Sequence, residues 1–218
     1  MRKPKEKIPL DIKKVYLAQY GGTEDDTIVG EFETIENQHS KYANAIGSFV
    51  ISFAELENSV NNELATAINE RAHEPGYRII KYLSFRNKID LFNDHYSAYV
   101  KVFRSKPTTK RMLAELKIIY NKLCELSEFR NKVAHADWTS LDKTGFVTTK
   151  ILENKEDFGI QLEKVKMTPG VLVKFRKQNE ALSVRINSYR EKVWEINSRE
   201  HASWYKKNNA REGSKKNT

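Results

Sequence analysis

The chain is nearly free of cysteine, long apolar runs and paired histidines, and each shortage removes a class of protein. Cys124 is the single cysteine in 218 residues, so neither an internal disulfide nor a cysteine-based zinc site can form. The histidines, His39, His73, His95, His135 and His201, never stand in an H-x-x-x-H pair, and no metal or other cofactor is expected. No run of about 18 apolar residues offers a membrane span. The basic opening "MRKPKEKIPLDIKK" has no apolar region behind it, unlike a secretory signal. These shortages together point to a cytoplasmic protein.

What the chain does contain is charge. Charged residues make up 31% of it and hydrophobic ones 39%, a balance that suits amphipathic helices with solvated outer faces. The net charge is +9, and part of the excess lies at the ends. The stretch "WYKKNNAREGSKKNT" has no apolar face, so residues 201–218 are expected as a mobile basic tail. Such an end serves equally as an electrostatic hook for a phosphate backbone or as a solubility device.

Four segments carry a helical period. The first places Ile46, Phe49, Val50, Phe53, Leu56, Val60, Leu64 and Ala67 on one stripe. The second opens at Ser84 as N-cap and carries Phe85, Ile89, Phe92, Tyr96, Tyr99 and Phe103. The third follows a break at Pro107, with Met112, Leu116, Ile119, Leu123 and Leu126. The fourth is capped by Thr168, has Pro169 in its first position, and runs Leu172, Phe175, Asn179, Leu182, Ile186, Tyr189, Val193, Ile196.

Between the third and fourth, "GFVTTKIL" and "FGIQLEKVKM" switch to β-branched and alternating residues around the polar "ENKED". The switch predicts a β-hairpin over 145–166. The fold class expected is all-α, a four-helix up-and-down bundle with this hairpin inserted between helices three and four. Residues 1–30 read as an irregular N-terminal arm, and residues 31–200 as the helical domain.

The tetrapeptide "FRNK" occurs twice, in "SFRNKIDLF" and "EFRNKVAHADW". In the first copy Phe85 lies on the apolar stripe and Arg86 points away. In the second, the steps Leu116, Leu123 continue by seven residues to Arg130, which predicts an arginine on the inward line. A guanidinium there is costly unless paired or open to a cleft. His135 shares a helical face with Asn131. Arg130 and His135, five apart, are separated by about 140° on an ideal helix. They converge only if the helix ends or distorts near Ala134, or if two chains contribute to one site.

Histidine ordinarily titrates near pH ~6.5 and both takes and gives protons around neutrality. Arginine offers a permanent charge in a fork matched to phosphate oxygens. With Asn131 orienting the histidine or a substrate oxygen, the set suits RNA cleavage without a metal. In that chemistry the ribose 2′-hydroxyl attacks its own phosphate while the arginine stabilises the developing charge. The structural alternative is an arginine–carboxylate bridge at a helix end beside a satisfied histidine.

"FRNKVAH" resembles the signature of the HEPN superfamily: an arginine, a polar residue directly after it, and a histidine beyond a short gap, near the end of the third helix of a four-helix bundle. "ISFAELENSVNNEL" is similar to the first helix of many bacterial members. The resemblance implies a metal-independent endoribonuclease acting as a homodimer with one composite cleft. Arg130 would be the phosphate stabiliser, Asn131 the positioning residue and His135 the acid/base group, with Glu57, or alternatively Glu55, orienting Arg130. It also implies a role as a toxin or anti-phage, abortive-infection effector, with RNA as substrate and an antitoxin or defence-system protein as partner. Where members neutralised by adenylylation carry a tyrosine two residues after the histidine, this chain has Asp137, which argues against that mode of control. Trp138 is a further residue that could stack on a base.

The alternative function is a catalytically silent HEPN-like module that binds a protein or nucleic acid within a defence complex. A helical DNA-binding dimer is disfavoured, because no helix-turn-helix with a basic recognition helix stands out.

Overall fold

The computed structural model describes residues 10–17, 28–69, 73–154 and 159–215, with side chains over a narrower span in the first and last helices. The elements in chain order are β1 (Ile12–Leu17), α1 (Ile28–Ile68), α2 (His73–Ile80), α3 (Phe85–Lys101), α4 (Lys106–His135), a 3-10 turn (Trp138–Ser140), β2 (Phe146–Asn154), β3 (Gly159–Lys166) and α5 (Pro169–Lys215). The fold is mostly helical with a small antiparallel sheet. It divides into two compact units, Met1–Ile51 with Glu128–Arg176, and Ser52–Ser127 with Lys177–Thr218.

The second unit is a helical bundle, and its caps and stripes follow the sequence. Ser84 accepts the Asn87 N–H at the start of α3. The stripe of α5 is buried at Leu182, Ile186, Tyr189 and Val193, with Asn179 fully enclosed and its Nδ2 donating to Ser52 Oγ at 3.0 Å. Pro107 lies inside the first turn of α4 rather than before it, since Ser105 supplies the cap to Thr108 and an N–H is dispensable there.

The up-and-down order does not hold. Phe53 meets Phe85, Glu57 meets Lys88 and Glu63 meets Tyr96, so α1 and α3 run parallel. Ser52–Asn179 and Glu63–Arg190 make α5 parallel to α1 as well. Arg86–Cys124 and Asp90–Tyr120 leave α4 antiparallel to α3. The reason is α2, an eight-residue helix that occupies the return between α1 and α3. Its Gly76 sits so close to α1 that a Cβ there would lie 2.5 Å from the Ala65 carbonyl oxygen.

The first unit is built on a three-stranded antiparallel sheet in the order β1-β3-β2. Strands β2 and β3 occupy the stretch expected for the hairpin, with Phe146 opposite Lys166 and Ile151 opposite Leu162. Most of the polar turn lies outside the described residues. The arm expected as irregular over residues 1–30 instead supplies β1, which pairs along β3 from Ile12–Val165 to Leu17–Ile160. Its "IKKVYL" hydrogen-bonds a neighbour distant in sequence, which local composition does not report.

Gly145 has φ 87° and a Cβ there would come 2.9 Å from Thr168 Cγ2, so the turn into β2 requires glycine. Three core rings of this unit meet: Phe129 lies 3.5 Å from Phe175 at 9° and meets Phe49 edge-on at 5.3 Å. Helix α5 continues to Lys215, into the stretch read as a basic tail. Extending an existing helix adds a hydrogen bond per residue without a new nucleation cost.

Candidate functional site

The last turns of α4 decide where the motif residues point. Phe129 and Val133, four apart, are buried, and Phe129 is held between Phe49 and Phe175. Arg130, about 100° further round the helix, is exposed. The expectation that Arg130 continues the inward stripe is therefore overturned. The enclosed ring environment favours the phenylalanine, and burying the guanidinium would forfeit its hydration.

Asn131 and His135 are also exposed. The Arg130 Nη1 donates to Asn131 Oδ1 at 3.2 Å, so the two polar residues of "RN" already act as a pair. His135 is the final residue of α4. Ala134 still belongs to the helix and His135 ends it, so ideal helix geometry sets Arg130 and His135 about 140° apart up to that last residue.

The segment after His135 anchors the helix end to the sheet. The Asp137 N–H donates to the Thr148 carbonyl at 2.8 Å, and the Thr148 N–H returns to Ser140 Oγ at 2.8 Å. Asp137 also caps the 3-10 turn through Thr139. Trp138 donates its indole N–H to the Val133 carbonyl at 3.1 Å, satisfying one of the carbonyls a helix end leaves open.

Glu57 is engaged in the other unit, where it accepts from Lys88 Nζ at 2.9 Å with the lysine side chain 8% exposed. Its carboxylate therefore has a partner other than the arginine expected for it. Glu55 is exposed, and its backbone carbonyl receives Ser59 Oγ.

Sequence reasoning missed two acidic centres. Glu63 accepts from Tyr96 at 2.7 Å and from Arg190 at 3.0 Å. Burial, with the Glu63 charge beside it, pushes the Tyr96 hydroxyl far above its usual range. Glu63 stands one position before Leu64 on the α1 stripe, and only the tyrosine and arginine on distant helices mark it as a buried acid. The second centre is Glu163 on β3, which accepts from Lys132 Nζ at 3.3 Å and from Thr149 Oγ1. Burial alone would raise its carboxyl, but the Lys132 bond and charge, then Lys150 and Thr149, hold it below the ordinary carboxylate range.

Among the described residues no group of three or more histidine, cysteine, aspartate or glutamate side chains could hold a metal ion. No described helix is long and apolar enough to cross a membrane. A cavity of ≈ 330 Å³ in the second unit is lined by Arg111, Glu115, Lys192 and Arg199 among others, and none of the motif residues reaches it.

Comparison of the chain with protein-family models, with curated proteins and with solved structures found no match. The functional reading therefore rests on the residues themselves.

Proposed function

We propose that this chain is a metal-independent endoribonuclease of HEPN type, acting as a homodimer and serving as a toxin or anti-phage effector. The observation that carries the reading is the exposure of Arg130, Asn131 and His135 together on the last turns of α4. A guanidinium, an amide and an imidazole presented outward at one helix end form a set suited to an RNA phosphate.

Two such helix ends facing one another would bring Arg130 of one chain towards His135 of the other. One His135 accepts the 2′-hydroxyl proton, O2′ bonds to the adjacent phosphorus, and the bond from phosphorus to O5′ breaks. His135 of the second chain, entering protonated, gives its proton to the departing O5′. The products are a 2′,3′-cyclic phosphate and a 5′-hydroxyl. Arg130, held by Asn131 Oδ1, stabilises the negative charge that builds on the phosphoryl oxygens. Glu57, paired with Lys88, has no step in this scheme.

The test is incubation of the purified protein with single-stranded RNA in EDTA, beside His135→Ala and Arg130→Ala. The expected result is cleavage by the wild type and a loss of about 10²–10⁴-fold in each variant. Cleavage unaffected by both substitutions removes the assignment.

A second reading, the catalytically silent module that binds a protein or nucleic-acid partner, is favoured by the unbroken course of α4 through both residues. Sedimentation separates the two: a strict monomer that leaves RNA intact supports the silent module.

A further inference from the structure

The sheet of the first unit carries lysines on both faces, and those facing α4 are grouped. Residues directly opposite on paired strands share a face. Lys14 on β1 stands opposite Glu163 on β3, and Glu163 stands opposite Lys150 on β2. Lys132, projecting from α4, closes onto the same Glu163 at 3.3 Å. Lys132 thus contacts the Glu163 carboxylate, the Lys150 charge acts on it, and Lys14 stands opposite it on the other neighbouring strand; Lys14 and Lys150 are both exposed. Lys132 lies three residues before His135 on the helix, one of its immediate surface neighbours.

We propose that Lys14, Lys150 and Lys132 form a phosphate-binding track that holds single-stranded RNA beside His135. This rests on the ribonuclease reading for the identity of the ligand, but not for the binding itself.

The spacing favours a polymer over a small anion. Lys14 and Lys150 are on the two outer strands, two inter-strand steps or about 10 Å apart. Successive phosphates of one strand can engage the two lysines separately, where a single small anion would have to draw both side chains together. Glu163 keeps the lysines from repelling one another, and its own charge moderates the pull on the ligand.

The opposite face supplies a control within the same sheet. Lys13 and Lys164 are paired across β1 and β3 on that face, and removing them takes away the same charge. The experiment measures binding of a 2′-O-methyl RNA oligonucleotide, which lacks the attacking hydroxyl, by fluorescence anisotropy over a salt series with the full chain.

The double variant Lys14→Ala/Lys150→Ala is expected to bind about tenfold more weakly at low salt. Its slope of log K against log salt should fall by about 1.4, or ~0.7 for each phosphate no longer neutralised. Lys13→Ala/Lys164→Ala should stay within about twofold of the wild type, and Glu163→Gln should bind more tightly. Equal weakening in both lysine pairs, or none in either, overturns the track.

The two proposals fail separately. RNA cleavage by the wild type with normal binding in the Lys14/Lys150 pair removes the track alone. Lysine-dependent binding without any cleavage keeps the track and removes the nuclease.

Discussion

Phe129 and Arg130 are adjacent in sequence and opposite in environment, and that single step decides which side chain the α4 end presents. Phe129, 1% exposed and stacked on Phe175, should cost about 3–5 kcal/mol of stability when truncated to alanine, read by denaturant unfolding. Arg130→Ala should change stability by no more than about 0.5 kcal/mol. The same variant should nevertheless lose RNA cleavage, so a lost activity would reflect chemistry and not unfolding.

At this scale the sequence named Arg130, Asn131 and His135 by type but assigned Arg130 the wrong face. A seven-residue step from Leu116 and Leu123 assumes constant surroundings along the helix. Those surroundings change where Phe49 and Phe175 enclose Phe129. Glu63 and Glu163 escaped notice for a related reason, since their partners Arg190 and Lys132 are distant in sequence.

The elements themselves were more legible than their neighbours. The periodic stripes placed α3, α4, α5 and the bundle-forming part of α1, because burying an apolar stripe is what makes such helices stable. The two-residue alternation and the turn-rich "ENKED" marked β2 and β3. Strand β1 was hidden because its lysines read as a polar arm, and edge strands commonly carry such charges. Helix α2 was hidden because His73–Ile80 is short and contains Pro75 and Gly76. The close approach of Gly76 to Ala65 gives a direct check: Gly76→Ala should lower stability by about 1–3 kcal/mol through overpacking, measured by thermal or denaturant unfolding.

Glu163, tying β3 to α4, provides a test by pH. Its carboxyl is held below its unfolded value, so the unfolded chain binds the proton more readily. The resulting stabilisation is full above the ordinary carboxylate range of ~4.3 and is lost as pH falls through the lower folded value. Glu163→Gln should therefore flatten the loss of stability on acidification in that range, followed as unfolding midpoint against pH. An unchanged slope would deny the Lys132 and Lys150 contacts this role.

For the whole molecule, the parallel run of α1, α3 and α5 replaces the alternating bundle, while the mostly helical character with a small β element stands. In the proposed scheme the angle between Arg130 and His135 makes the oligomeric state part of the chemistry. If the cleft is composite and needs His135 from both chains, an equimolar mixture of wild-type and His135→Ala chains, exchanged through denaturant and refolded, should keep about a quarter of the wild-type cleavage and not about half, because only wild-type dimers hold both histidines.

The central claim is that this helix end cleaves RNA through the ribose 2′-hydroxyl, and the ends of the products test it most directly. RNA treated with the wild-type protein in EDTA should carry 2′,3′-cyclic phosphates and 5′-hydroxyls, with no such ends produced by His135→Ala. Products bearing 3′-hydroxyls and 5′-phosphates, or cyclic ends that persist undiminished in that variant, would contradict the account.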